Sequence, residues 1–85
     1  MNARMTGAPV KRSVTIAGHR TSISLEPEFW DALCDIANAQ NRSVNGLIAE
    51  IDTARPATGQ QTNGLSSAVR RYVLAYYRKK ALTPR

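Results

Sequence analysis

Eighty-five residues leave room for a single domain, and a chain this short buries only about 60% of its unfolded surface, so its own core is marginal. Cys34 is the sole cysteine, which excludes an internal disulfide, and with His19 as the only other soft ligand a closed zinc site from one chain is excluded too. A second copy of the chain is the remaining supplement to the core. No apolar run approaches the roughly 20 residues that span a bilayer, and the basic N-terminus lacks an apolar signal core. Together with the lone cysteine, these features point to a cytoplasmic protein.

The net charge of +6 is unevenly placed. All the acids lie between Glu26 and Asp52, whereas the stretch up to Arg20 and the stretch from Arg55 to Arg85 carry only basic charges. Basic ends around a near-neutral middle imply a polyanionic partner, held by phosphate neutralisation and counterion release. The plainer reading is a solvated basic surface that keeps a small protein soluble.

In chain order, residues 1–10 show no periodicity, contain Gly7 and Pro9, and are expected to be a disordered arm. From Ser13 to Leu25 the residues are β-formers. Thr21, Ile23 and Leu25 alternate with Arg20, Ser22 and Ser24, so the two sets occupy opposite faces of a strand. Val14 and Ile16 have the other parity, with Gly18 between. A bulge at Gly18 would re-phase one long strand, while a turn over Ala17-Gly18-His19-Arg20 would make a hairpin; the bulged strand is the favoured expectation.

The alternation stops at Leu25-Glu26-Pro27. Proline suits the first helical position, and Glu26 and Glu28 complement the positive end of a helix dipole. Phe29, Trp30, Leu33, Ile36 and Ala37 then give one apolar helical face, ending near Gln40-Asn41, where asparagine takes a left-handed C-cap. Ser43 is a good N-cap for a second helix with apolar Val44, Leu47, Ile48 and Ile51. Pro56 bounds it. A polar loop over 56–64 precedes a third, basic helix over 65–81, whose apolar face is Leu65, Val69, Tyr72, Val73 and Tyr76, and a tail over 82–85. The expected organisation is therefore a core over 11–55 with an additional C-terminal helix.

The stretch RTSISLEPEFWDALCDIANAQNRSVNGLIAEI, residues 20–51, resembles the Arc/MetJ-like ribbon-helix-helix DNA-binding family. Leu25-Glu26-Pro27-Glu28 looks like that family's strand-to-helix junction, and Asn41-Arg42-Ser43-Val44-Asn45 like its turn and second-helix start. The wider run KRSVTIAGHRTSISLEPEFW with a later LSSAVRRYV helix resembles a subfamily of short bacterial members. The resemblance implies a mainly α fold with one β-strand per chain. It implies an intertwined homodimer whose strands form an antiparallel two-stranded ribbon, here with an extra C-terminal helix. It also implies a transcriptional repressor that binds double-stranded DNA. The ribbon's outward residues Arg20, Ser22 and Ser24 would contact bases in the major groove. The second-helix start, Ser43, Val44 and Asn45 with neighbouring Arg42, would grip a phosphate, and Lys11 and Arg12, which flank the ribbon, would contact phosphates too. Serines at two of three groove positions imply weaker direct readout than long side chains would give.

An enzyme is not expected. No nucleophile is spaced from a base, no glycine-rich phosphate loop precedes a helix, and neither cofactor nor metal is implied. Two alternatives stand beside the repressor. One is an antitoxin-like module whose residues 56–85 bind a partner protein; the other is a sequence-tolerant architectural DNA binder.

Overall fold

The computed structural model describes residues 8–54 and 64–82. Most of the expected arm, the polar loop and the end of the tail lie outside the described residues. The β-forming stretch resolves into two strands, β1 (Val10–Ile16) and β2 (His19–Leu25), followed by helices α1 (Pro27–Ala39), α2 (Val44–Ala54) and α3 (Leu65–Leu82). The strands pair antiparallel as a hairpin, with Ile16 opposite His19 and Val10 opposite Leu25. This corrects the expectation of one bulged strand per chain. The physical reason is the two-residue turn: Ala17 and Gly18 both take positive φ, 52° and 82°, the signature of a type I′ hairpin loop. Such a loop pairs residues three apart in sequence, which reverses parity. Val14 and Ile16 thereby join the face of Thr21, Ile23 and Leu25 without a bulge.

The helix ends follow from their local chemistry. Extended Glu26 precedes Pro27 at the start of α1, and Glu28 lies in its first turn. At the other end Asn41 is left-handed, with φ 55°. The Arg42 N–H donates to the Ala37 carbonyl (3.0 Å) and the Asn41 N–H to the Asn38 carbonyl (3.1 Å), a Schellman closure. Ser43 caps α2, its Oγ accepting the Gly46 N–H at 2.9 Å. A Cβ on Gly46 would stand 3.0 Å from that Oγ, so glycine lets the cap close.

The inner sheet face contributes Val14, Ile23 and Leu25 to one core, with Trp30, Leu33, Ile36 and Ala37 of α1, Leu47, Ile48 and Ile51 of α2, and Val69 and Val73 of α3. Ile23, Leu25, Leu33, Ile36, Leu47, Ile48 and Val69 are less than 2% exposed within one chain. The third helix is thus part of the core rather than an appendage. One ground for expecting intertwined chains, an unpaired strand, is met inside the single chain, where β2 has β1 as its partner. Val69 and Val73 of α3 join the core, while Val10, Leu74, Tyr77 and Leu82 stay exposed within one chain.

Candidate nucleic-acid interface

The hairpin register builds an outward face of three cross-strand pairs: Lys11 opposite Ser24, Ser13 opposite Ser22, and Thr15 opposite Arg20. All are exposed except Ser24, which is half-buried. Arg20, Ser22 and Ser24 share this face because their inner neighbours Ile23 and Leu25 are buried, and a one-residue slip would exchange the two sets. The face carries two cations, Lys11 and Arg20, at diagonally opposite corners, and no acid.

Two helices clasp the ribbon's edges. On the β1 side, the Asn45 amide imitates a neighbouring strand: its Oδ1 accepts the Thr15 N–H (3.1 Å) and its Nδ2 donates to the Thr15 carbonyl (2.6 Å). On the β2 side, Ser66 Oγ accepts the Ser24 N–H (3.1 Å), and Arg70 donates to the Ser24 carbonyl (3.3 Å). Arg70 also forks onto the Glu26 carboxylate, at 2.9 Å and 3.2 Å, and lies over the Phe29 ring. The hydrogen bond from Arg70 holds the Glu26 carboxyl below its ordinary value. Because antiparallel residues alternate between pointing at the partner strand and away from it, these contacts fix which backbone groups face outward. They are those of Lys11, Ser13 and Thr15 on β1, and of Arg20, Ser22 and Ser24 on β2.

The remaining expected phosphate contacts are distributed unevenly. Asn45 brings the start of α2 against the ribbon edge, and the Val44 and Asn45 amides, first in the helix, have no intrahelical acceptor. The Asn45 side chain itself is occupied by Thr15. Arg42 pairs with Glu50 and reaches the Gly46 carbonyl at 3.3 Å. Lys11 shares the outward face with Arg20, but Arg12 points the other way, its guanidinium 5.2 Å from the Trp30 ring centroid; that indole donates to the Val10 carbonyl at 3.0 Å. Sequence reasoning did not identify Ser13 and Thr15 as part of the face, nor Ser66 and Arg70 as its clamp. The parity change beside Gly18 was the available signal for the first pair. Nothing local announces the second, since Arg70 lies 44 residues from Glu26.

Among the described residues, no group of three or more His, Cys, Asp or Glu could hold a metal ion, and no helix is long and apolar enough to cross a membrane.

A two-stranded ribbon with a polar, basic outer face, carried on helices that cap its edges, is the architecture of proteins that read nucleic acid with β-structure. A ribbon-helix-helix domain model matches residues 9–77, and the chain belongs to that family. Its members are in general DNA-binding regulators of transcription, and a regulatory rather than enzymatic role is typical of them. Among solved structures, the chain is similar to an uncharacterized protein from Bordetella pertussis Tohama I, with 32% identity and a TM-score of 0.76 over 95% of this chain. The match spans 64% of that protein's chain. No curated protein sequence matches.

Proposed function

We propose that this chain is a sequence-specific double-stranded DNA-binding protein, a cytoplasmic bacterial repressor that works as a homodimer and reads the major groove with a β-ribbon. The observation that carries the reading is the outward ribbon face, exposed apart from half-buried Ser24, free of acids and bearing Arg20 and Lys11 at opposite corners. Arginine can bond guanine bidentately in the major groove, and serine can donate or accept there. The first amides of α2, beside the ribbon edge, would bond a backbone phosphate, which positions the protein without reading sequence. Occupying the groove at a promoter would exclude competing proteins, which is how such a binder represses. Selection from random duplexes at two salt concentrations tests the proposal: an enriched motif whose preference survives at the higher salt is expected. Flat affinity across sequences would replace it with the architectural reading.

One observation favours a protein-binding reading. An apolar groove of about 310 Å³ between α1 and α3 is lined by Phe29, Val73, Leu74 and Tyr77 together with Arg70 and Arg71. Leu74 is 57% and Tyr77 39% exposed. An acidic amphipathic helix would suit it, apolar face inward and a carboxylate against Arg71, Arg70 being held by Glu26. Leu74→Glu abolishing capture of such a partner while sparing DNA selection would support this second role.

A further inference from the structure

We infer that the groove between α1 and α3 is covered by a second copy of this chain, each copy's α3 lying along the other's α1. The inference rests on the protein-binding reading of that groove and names the acidic amphipathic helix that fills it, α1 of another molecule.

Charge is the first argument. On α1 the exposed residues Glu28, Asp31 and Asp35 recur at i, i+3 and i+7, which sets them in one stripe, away from the buried Trp30, Leu33, Ile36 and Ala37. On α3 exposed Arg71, Leu74 and Arg78 recur at the same intervals, away from buried Val69 and Val73. There is no base in α1 and no acid in α3. None of the charged side chains in the two stripes has a hydrogen-bonding or ion-pair partner among the described residues. Tyr77, in the groove, has its phenol raised by burial first and by the charge of Asp35 next, so the acidic stripe stands beside the groove.

That arrangement selects the occupant. A foreign acidic helix would satisfy Arg71 but meet Asp35 as a like charge. A second copy satisfies both walls, because its acidic α1 arrives with its basic α3 alongside. Two α3 helices together, or two α1 helices, would oppose like charges, which leaves α1 against α3.

Spacing and apolar content agree with this. Glu28 and Asp35 are seven residues apart, as are Arg71 and Arg78, and in each helix that is about 10.5 Å. The end charges therefore meet whichever way the helices run. Leu74, 57% exposed, sits between the two arginines, with Tyr77 and half-buried Phe29 beside it. Covering them removes apolar surface from water and strengthens the ion pairs at their flanks. The contact is isologous, each copy giving the same surface. It uses no ribbon residue, so a homodimer joined through its ribbon still presents two such faces.

Sedimentation velocity of the full chain without DNA should show masses of four chains or more as concentration rises. Two charge-reversed variants separate this face from the ribbon. Arg71→Glu with Arg78→Glu makes both walls acidic, and Glu28→Lys with Asp35→Lys makes both predominantly basic. These positions are all exposed, and circular dichroism should find both variants folded. Each alone should stop at two chains, its further association weakened by about ten-fold or more. Mixed in equal amounts, they should recover the four-chain species, since each then meets its opposite. Wild type that never exceeds two chains, or variants that assemble singly as well as they do mixed, would overturn the inference. An amphipathic peptide of leucine and glutamate separates that failure from failure of the groove reading. If the peptide binds and Leu74→Glu abolishes its binding, the groove keeps a foreign occupant and only the inference falls; if it does not bind, both fall.

Discussion

Ala17 occupies a left-handed conformation, φ 52°, at the first central position of the hairpin turn. For an L-residue with a Cβ this costs roughly 1–2 kcal/mol, and asparagine escapes much of that cost by hydrogen bonding locally. Ala17→Asn would create Asn-Gly, the pair that type I′ turns favour most, and should stabilise the protein by about 1 kcal/mol. In a domain of this size that raises Tm by roughly 4–8 °C. Ala17→Gly relieves the same crowding but loses about 0.4–1 kcal/mol through a more flexible unfolded chain, so its gain should be smaller. Gly18 gives the complementary test. At φ +82° an added Cβ meets nothing within 4 Å, so Gly18→Ala should be destabilising through backbone strain alone. Thermal unfolding followed by circular dichroism measures all three. If Ala17→Asn lowers Tm while Gly18→Ala leaves it unchanged, the two residues are not left-handed, and the chain continues through them as one extended strand.

Four further outcomes are expected. Arg20→Ala should weaken binding to the selected duplex by roughly 1–3 kcal/mol, and by much less on scrambled DNA; Arg20→Lys, which keeps charge but loses the fork, should lose discrimination more than affinity. Neutralising Lys11 should reduce the salt slope of binding by about one, whereas Arg12→Ala should change it less, its guanidinium being held over Trp30; equal slopes for the two variants would contradict that assignment. Asn45→Ala should release two hydrogen bonds at the β1 edge, together worth about 1–3 kcal/mol, and speed hydrogen exchange at the Thr15 amide. Glu26 has a carboxyl held below its ordinary 4.5 by Arg70, so its contribution to stability is present above that value and disappears as pH falls through the lowered one. The Tm gap between wild type and Glu26→Gln should therefore be open at neutral pH and close in acid.

The helices were legible because their signals are local. Pro27 after an extended Glu26, the left-handed Asn41 and the Ser43 cap each act within a few residues, and the apolar spacing that follows them became the buried faces of α1 and α2. The third helix was legible for the same reason, yet its role was not, because Val69 and Val73 reveal only an apolar stripe and not what it covers. Around Gly18 the residues gave the face assignment of Arg20, Ser22 and Ser24, since buried Ile23 and Leu25 dictate it. They did not choose between bulge and hairpin. Alanine is an unusual first residue for a type I′ turn, so the strongest sequence cue, Asn-Gly or Asp-Gly, was missing. The clamps on the ribbon edges were beyond reach. Asn45 reads as helix-start chemistry and Arg70 as surface charge until the fold brings Thr15 and Glu26 beside them.

The contact between α3 and Ser24 bears on how far this chain can be shortened. An exposed strand edge is a template on which other chains can add, and Ser66 with Arg70 shields the end of β2 from that fate. A fragment stopping at Ala54 would keep the hairpin and the first two helices, but would bare the Ser24 backbone together with the apolar surface under Val69 and Val73. Such a piece would retain the whole outward face proposed to contact DNA and still be a poor binding reagent, because its molecules would find one another first. The last helix, whose hydrogen bonds to Ser24 go to backbone groups alone, is what lets the outward side chains remain available in solution.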